Sequence, residues 1–196
     1  MGREFELKYA ATQQQLQAIA ARYGDFTTIE MVTSYYDTTD SALAARYITL
    51  RRRMENGISI CTLKTPTGSI GRHEWEVVET DIRAAIPELC KLSQQDVLLS
   101  LLSDGVVEIC GARFTRLAKT LVLQDCTVEL ALDDGILTGA NREEALCEVE
   151  VELKDGSEDA AIAFAQQLAE EFSLTAEFKS KFRRALNLTY QEAHHG

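Results

Sequence analysis

Hydrophobic and polar residues alternate along several stretches of this chain, and strands are the elements that such alternation predicts. In the opening stretch "REFELK", Glu4, Glu6 and Lys8 occupy every second position, and Phe5 and Leu7 lie between them. Because successive side chains of a strand point to opposite faces, the charged side chains share one face and the apolar ones share the other. The stretch therefore predicts a strand with one charged and one apolar face.

Charged residues at every second position recur in later stretches that also have the composition of strands. They are Arg51 and Arg53 in "LRRR", Lys64 ending "CTLK", Arg72, Glu74 and Glu76 in "RHEWEV", Glu129 and Asp133 in "VELALD", and Glu148, Glu150 and Glu152 in "CEVEVEL". A sheet with one solvent-facing side is the alternative interpretation. Against it, the arginines share one segment and the glutamates share others, although adjacent like charges repel.

Helical patterns and turn residues divide the chain between these strands. "ATQQQLQAIAARYG" predicts a helix with a capping box formed by Thr12 and Gln15 and an end at Gly24. The other predicted helical segments are an interlude over about 82–103, with a cap at Ser93, and two final helices over about 157–172 and 176–190.

Tight turns between most of the strands predict an α+β protein with a large antiparallel sheet. Asn56-Gly57 and Asp134-Gly135 are strong hairpin signals. A sheet of many strands curls or closes, because closure removes exposed edges. If helices cover the apolar side of a closed barrel, the charged faces line its interior. With 196 residues, 45% of them hydrophobic, we expect a single domain over residues 1–196.

Composition and charge exclude several classes of function. The net charge of −11 argues against a nucleic-acid partner. No apolar stretch approaches the roughly 20 residues of a membrane span, and the opening residues lack the pattern of a signal peptide. Five cysteines without CxxC spacing predict small buried side chains, not a disulfide framework or a zinc site. We expect a cytoplasmic protein with no membrane partner.

Clustered carboxylates beside clustered arginines and lysines suit a polyanion that is bound through a divalent metal ion. Carboxylate oxygens are ligands for hard ions such as Mg²⁺ and Mn²⁺. Arginine offers planar paired donors to phosphate oxygens, and lysine offers a compact charge. A locally positive cavity is compatible with a negative net charge.

These residues resemble the CYTH, or triphosphate tunnel metalloenzyme, superfamily, and most of all its bacterial inorganic triphosphatases. The family's ExExK motif is here Glu4-Phe5-Glu6-Leu7-Lys8, and "SYYDT" is similar to its second strand. The later matches, in the family's order, are Arg51 and Arg53, Lys64, Arg72 with Glu74 and Glu76, Arg116, Asp133, the glutamates at 148, 150 and 152, and Lys181. A single ExExK motif is weak evidence for the family, but the whole set of motifs in the family's order is specific evidence.

The resemblance implies a closed eight-stranded antiparallel β-barrel with helices packed outside, forming a tunnel that binds triphosphate with Mg²⁺ or Mn²⁺. The implied metal ligands are Glu4, Glu6, Glu148, Glu150 and Glu152. The implied substrate-binding residues are Arg51, Arg53, Lys64, Arg72 and Lys181. The implied catalytic residues are Lys8, beside the metal and phosphate, and Arg116, at the leaving diphosphate. Glu74, Glu76, Glu129 and Asp133 are implied as supporting residues.

Alternatives stay open for several of these residues. Glu74 and Glu76 could bind metal or fix the arginine and lysine side chains. Asp133 could simply serve the turn predicted after it. Lys181 lies in a helical pattern, where a solvated lysine is the common case.

Arg113 and Lys119 compete with Arg116 for the later arginine position of the family. Strand parity places Arg116 with Ala118 on one face and Lys119 on the other. A β-bulge would reverse that placement.

The function expected from this resemblance is metal-dependent hydrolysis of inorganic triphosphate to phosphate and diphosphate. The alternatives are a class IV-type adenylyl cyclase, a thiamine triphosphatase, or a non-catalytic polyphosphate- or nucleotide-binding module. A carrier of a hydrophobic ligand would need an apolar interior face, which the charged strands contradict. The expected partner is a small-molecule triphosphate, bound by a monomer or homodimer. Tyr35, Tyr36 and Trp75 are expected to pack in the core or the barrel wall.

Overall fold

The computed structural model of the chain is an α+β fold. It describes residues 5–66, 72–94, 96–102 and 105–190, with the backbone alone at residues 72, 96, 97 and 101. Its strands are β1 (Glu6–Ala10), β2 (Thr27–Asp37), β3 (Thr49–Glu55), β4 (Ile58–Pro66), β5 (Arg72–Val78), β6 (Val107–Val122), β7 (Cys126–Gly139), β8 (Arg142–Gly156) and β9 (Thr175–Ala176). Its α-helices are α1 (Gln13–Tyr23), α2 (Ile82–Ser93), α3 (Asp96–Leu101), α4 (Glu158–Phe172) and α5 (Lys181–Tyr190).

The strands form one sheet in the order β5-β4-β3-β2-β6-β7-β8-β1-β9, and all neighbours are antiparallel. The large antiparallel sheet is confirmed, but closure into eight strands is not what the structure has. Among the described residues, β5 and β9 form its two edges and no hydrogen-bonded ladder joins them. The second edge of β1 is instead paired with β9, at Tyr9 and Ala10.

Four helices cover one face of this sheet, which we call the outer face. α1 and α4 pack on β1, β7 and β8, where Ile19 and Leu168 meet the apolar residues Leu130 and Val149. α2 and α3 cover the other end of the sheet through a separate core that includes Leu63 and Leu89. The apolar side of the alternating strands is therefore buried by helices.

The last helix, α5, packs on the opposite, inner face, and this corrects the expectation that the helices lie outside. Its residues Ala185 and Leu188 belong to a third core with Phe114, Leu137 and Leu146. The approach of α5 is so close that a Cβ atom at Gly139 would collide with the carbonyl oxygen of Ala185. Strand alternation puts this core on the face that also carries the charged residues.

One of the two predicted hairpin turns is confirmed and the other is wrong. Asn56 and Gly57 connect β3 to β4 with positive φ angles of 47° and 87°. Asp134 and Gly135 lie inside β7, and the chain turns later, at Ala140 with a φ of 51°. A Cβ atom at position 135 would collide with the backbone of β6, so the glycine permits close strand packing there.

The helix boundaries also mix confirmed and corrected predictions. The capping box of Thr12 and Gln15 is present at the start of α1. Ser93 is the last residue of α2, not the cap of the next helix. α5 begins at Lys181, about one turn later than predicted, because Thr175 and Ala176 pair with β1 as β9. None of the helices in the described ranges is long and apolar enough to cross a membrane.

Candidate active site

The inner face carries two separate groups of charged residues. We call the first group the acidic half: Glu6, Glu129, Asp133, Glu148, Glu150 and Glu152, on β1, β7 and β8. We call the second the basic half: Arg51, Arg53 and Lys64, on β3 and β4, with the carboxylates of Glu55, Glu74 and Glu76 beside them. The alternation of each strand explains why these residues share a face.

Antiparallel register arranges the acidic half in rows across the strands. From one end to the other the rows are Glu6–Glu152–Glu129, Lys8–Glu150–Ala131, and Ala10–Glu148–Asp133–Arg116. Residues directly opposite each other on neighbouring antiparallel strands have Cβ atoms about 5 Å apart. Carboxylates that are far apart in the sequence therefore become neighbours through strand pairing.

Lys181 lies at the centre of a buried cluster in the last two rows. Its Nζ is 2.8 Å from an oxygen of Asp133 and donates a 2.7 Å hydrogen bond to Glu150. It also donates to Glu148. Asp133 and Glu148 are both 0% exposed, so the ammonium group neutralises carboxylates that have no access to water. The structure thus brings the sequence-predicted lysine together with three predicted acidic residues.

Arg116 is the second cation of this cluster. Its guanidinium donates two hydrogen bonds of 2.7 Å to the two oxygens of Asp133 and a third to Glu150. The paired geometry is the arrangement in which an arginine binds a carboxylate most tightly. Arg116 therefore holds carboxylates in place on its side of the cluster.

Arg184 and Glu144 extend the cluster, and sequence reasoning missed both. Arg184, one turn after Lys181 on α5, donates to Glu148 at 3.2 Å and to Glu144 at 2.7 Å. Glu144 continues the alternation that runs through Glu148 and so lies on the inner face. Extending that pattern toward the N-terminus would have found Glu144, whereas a charged residue within a helix, as Arg184 is, gives no comparable signal.

Burial and paired charges shift the pKa values inside the cluster. Burial raises the pKa of Glu148 to about 7, although Lys181 acts in the opposite direction. Burial also acts to raise the pKa of Glu150, but Lys181 and Arg116 outweigh it and hold that pKa below its ordinary value. Burial would lower the pKa of Lys181, yet the surrounding carboxylates raise it above its ordinary value. The lysine therefore stays charged, and of the two glutamates Glu148 takes up a proton more easily than Glu150.

The row of Glu6, Glu152 and Glu129 is more open to solvent. The side chains of Glu152 and Glu129 are 26% and 27% exposed, and both face Lys154, at 2.7 Å and 3.7 Å. The side chain of Glu6 is 36% exposed and lies 4.0 Å from the ammonium group of Lys8. A solute from bulk water can therefore reach these carboxylates more readily than those around Lys181.

In the basic half, as far as the structure describes it, carboxylates pair with the cations but leave some arginine nitrogens without an acceptor. Glu74 lies between Arg51, at 3.1 Å, and Lys64, at 2.8 Å, while Arg53 pairs with Glu55 at 3.2 Å. The buried Nε atoms of Arg51 and Arg53 have no hydrogen-bond partner among the described residues. The Nε of Arg52, on the outer face, has no hydrogen-bond partner among the described residues either. A missing acceptor therefore suggests an anion-binding position only for the two arginines that lie on the inner face.

Two predicted residues fall outside what the structure describes. Glu4 precedes the described residues, and at Arg72 the backbone pairs with Pro66 while the side chain is not described. The competitors of Arg116 lie elsewhere: Lys119 donates to the carbonyl oxygen of Tyr23 at 2.7 Å, and Arg113 pairs with Glu143.

A buried acidic cluster is present where a metal ion would be expected. Asp133, Glu148 and Glu150 each offer an oxygen, and these atoms lie within 4.8 Å of one another. Their chemistry fits a hard divalent ion. Lys181 already contacts all three, so an ion there would compete with an ammonium group. The open row of Glu6, Glu152 and Glu129 has the same donor chemistry without a buried lysine.

The chain belongs to the CYTH family, since the family model described as the CYTH domain matches residues 2–186. This confirms the resemblance found in the sequence. A relative is the inorganic triphosphatase of Haemophilus influenzae, 28% identical over 197 residues that cover 94% of this chain. The chain spans about half of that relative's length, 54%.

Solved structures show the same fold. A candidate adenylate cyclase of Bacillus halodurans has a TM-score of 0.63 and 22% identity, over 94% of this chain and 98% of that one. A candidate adenylyl cyclase of Hippeastrum, described as having a dominant triphosphatase activity, has a TM-score of 0.63 and 19% identity, over 100% of both chains. At these identities the likeness concerns the fold alone.

Proposed function

We propose that the protein hydrolyses inorganic triphosphate to phosphate and diphosphate with the help of Mg²⁺ or Mn²⁺. The observation that carries this proposal is the presence of both halves on a single sheet face. Buried arginine donors without acceptors in the described part of the chain lie on β3, and solvent-accessible carboxylates lie on β1, β7 and β8. A metal-bound polyphosphate needs both kinds of partner. Family membership and the triphosphatase relative support the same reaction.

The basic half would bind the phosphate oxygens. Arg51 and Arg53 are cross-strand neighbours of Thr62 and Ile60, so their side chains extend over the inner face beside that of Lys64. The ion pairs with Glu74 and Glu55 restrict the side chains before any anion arrives. Arg72 would join them, as the resemblance implies.

Glu6 and Glu152 would hold the metal ion, with Glu129 beside them in the same row and Glu4 as a further ligand. When bound, the ion would offset phosphate charge and lower the pKa of a bound water. Lys8, next to Glu6 on the same face, would hold a terminal phosphate or orient water. Its ammonium group now donates to the carbonyl oxygen of Lys179 at 3.1 Å.

Glu148 and Glu150, which the resemblance implied as metal ligands, surround Lys181 instead of an open position. We assign them the role of fixing that lysine at the edge of the substrate region. Arg116 then acts as a positioning residue through Asp133 and Glu150. This assignment departs from a direct role at the leaving diphosphate, because the Nε and Nη2 of Arg116 already donate to carboxylates.

Adenylyl cyclase activity is the second candidate, since two of the structural neighbours are named as candidate cyclases. Cyclisation of ATP would use the same triphosphate contacts and add a site for the purine. The inner-face aromatic residues Tyr35 and Phe114 are buried at 5% exposure each, so neither offers an open stacking surface for a base. Hydrolysis is therefore the better-supported reaction.

The test is to measure products from inorganic triphosphate, ATP and thiamine triphosphate, with Mg²⁺, with Mn²⁺ and with chelator. We expect metal-dependent phosphate release mainly from inorganic triphosphate. Glu6→Gln should lower this rate by about 100-fold or more while the melting temperature stays near that of wild type. The matched control is Glu30→Gln, because Glu30 lies on the outer face and accepts a hydrogen bond from Thr115. Cyclic AMP from ATP, or full activity in Glu6→Gln, would contradict the proposal.

A further inference from the structure

The chain between β9 and α5 contacts Lys8, the lysine that the proposed mechanism places beside Glu6. We call residues 177–180 of this chain the connector. The backbone N–H of Glu177 donates to the carbonyl oxygen of Lys8 at 2.9 Å. The ammonium group of Lys8 in turn donates to the carbonyl oxygen of Lys179 at 3.1 Å. The connector is therefore bound to both the backbone and the charged end of Lys8.

The carboxylate of Glu177 holds the connector in shape. Its Oε1 accepts a 2.8 Å hydrogen bond from the backbone N–H of Lys179, the residue whose carbonyl oxygen binds Lys8. A hydrogen bond to a carboxylate is stronger than one between neutral groups. The pairing of β9 with β1 continues through Glu177, so its side chain lies on the inner face with that of Lys8.

Apolar packing does little to fix the connector. Phe178, its one large apolar residue, is 92% exposed, and both residues of β9 are exposed as well. At the far end, the hydroxyl group of Ser180 accepts from the backbone N–H of Arg183 in the first turn of α5. Burial of apolar area is the main stabilising force in proteins, and here it is small. The position of the connector therefore depends on its hydrogen bonds.

The connector restricts a side chain that would otherwise be flexible. Lysine has a long stem with many rotamers and an ammonium group with three donors. The side chain of Lys8 is only 12% exposed, and its ammonium group lies 4.0 Å from the carboxylate of Glu6. One donor is directed to the carbonyl oxygen of Lys179, which leaves two for Glu6, phosphate or water. Placing a reacting group before the substrate arrives lowers the entropic part of the barrier.

We propose that Glu177 is a positioning residue for the reaction: its carboxylate fixes the turn whose carbonyl oxygen binds the ammonium group of Lys8. This inference rests on the proposed function and adds a residue that touches neither the substrate nor the metal ion. Glu177 acts as a hydrogen-bond acceptor, so the amide oxygen of a glutamine can replace it. A metal-binding carboxylate could not be replaced in this way, because its charge would be lost.

The first test measures the rate at which acetic anhydride acetylates Lys8, read by peptide mass spectrometry with EDTA present and no substrate. Glu177→Ala should raise this rate about fivefold, as for the loss of one hydrogen bond. Glu177→Gln keeps an acceptor oxygen and should stay within about twofold of wild type. Lys119 is the internal reference, because its ammonium group is held by the carbonyl oxygen of Tyr23 in α1 and not by the connector. Its rate should be equal in all variants.

The second test measures phosphate release from inorganic triphosphate with Mg²⁺ or Mn²⁺. Glu177→Ala should lower kcat/KM about 10-fold, because a displaced group near the reacting atoms slows the reaction. Glu177→Gln should restore most of the wild-type value. Glu171→Ala is the matched control, since Glu171 is a glutamate of α4 that pairs with Arg22 of α1, and both helices cover the outer face. It should keep the wild-type kcat/KM.

The inference is wrong if Glu177→Ala leaves either the acetylation of Lys8 or kcat/KM unchanged. Equal acceleration at Lys8 and Lys119 would mean a general loosening of the fold and would also overturn it. So would a Glu177→Gln variant as impaired as Glu177→Ala, since the charge and not the acceptor would then matter. Wild-type protein that releases no phosphate would overturn the proposed function, while the acetylation rates would still show whether Glu177 fixes Lys8.

Discussion

The acidic and basic halves of the inner face differ in how their charges are balanced. Around Lys181, three carboxylates, one lysine and two arginines satisfy one another within the protein. On β3 and β4, Arg51 and Arg53 pair with carboxylates and keep buried Nε donors without acceptors among the described residues. Among the described residues, the first arrangement leaves no buried side-chain donor without an acceptor, whereas the second does. This difference is the basis of our proposal that the anion binds on the basic half, while much of the acidic half stabilises the structure.

The largest expected effect comes from breaking the balanced cluster. Lys181→Met leaves three carboxylates around an apolar side chain, which should lower the free energy of unfolding by about 3–5 kcal/mol. Lys154→Met is the matched control, because Lys154 also pairs with glutamates on this sheet but its side chain is 40% exposed. Its cost should be about 0–1 kcal/mol. Urea denaturation measures the unfolding free energy of both variants. If Lys181→Met and Lys154→Met lose similar amounts, the buried cluster is no more important for stability than the open row.

A smaller effect, on binding and not on folding, is expected in the basic half. Arg51→Gln should weaken inorganic triphosphate binding by about 30- to 100-fold, because a charged paired donor to phosphate is lost. Arg52→Gln is the control on the same strand, since outer-face Arg52 donates to the carbonyl oxygen of Thr80. Its affinity should change by less than about threefold. If both variants bind equally well, the basic half is not the anion site.

The smallest effect is a pH dependence that belongs to the acidic half. Because the pKa of Glu148 is raised to about 7 in the folded protein, the folded state holds a proton that the unfolded chain loses at lower pH. The stabilisation from this group is present below its ordinary pKa of 4.5 and is lost as the pH rises through about 7. Relative to Glu148→Gln, wild type should therefore lose about 1–3 kcal/mol of unfolding free energy between pH 5 and 8.

The control for this pH dependence is Glu143→Gln, whose side chain is 61% exposed in wild type. Its unfolding free energy should follow the wild-type pH curve, since an exposed carboxylate loses little hydration on folding. Wild-type and Glu148→Gln curves that run parallel over the whole range would show that the cluster carries no such proton.

Much of the candidate site could be predicted because strand alternation is a local property. Odd and even positions along a strand lie on opposite faces, and this rule predicts that Arg51 and Arg53 lie opposite to Arg52, and Arg116 opposite to Lys119. The structure has these residues on the predicted faces. β6 pairs with β7 through Arg116 without a register shift. The alternation of side chains between the two faces of the sheet therefore continues unbroken past this residue, and the prediction from the sequence holds. The family resemblance, which depends on the same local motifs, is confirmed by the match over residues 2–186.

Turn chemistry and helix placement were less predictable, because both depend on distant parts of the chain. Asp134-Gly135 has the sequence of a hairpin turn, yet β6 approaches Gly135 so closely that the pair is held inside a strand. α5 is amphipathic like the other helices, and nothing in its sequence states on which face of the sheet it packs. Arg184 joined the site only through that placement.

The sequence by itself determined which side chains share a face of each strand and which family the chain resembles, since both follow from residue order within short segments. The tertiary structure decided which carboxylates meet, that an ammonium group of α5 lies among three of them, and that the described strands leave the sheet open at β5 and β9. Those outcomes depend on strand register and on helix packing across long sequence separations. They are set by the burial of apolar area and the pairing of charges over the whole fold.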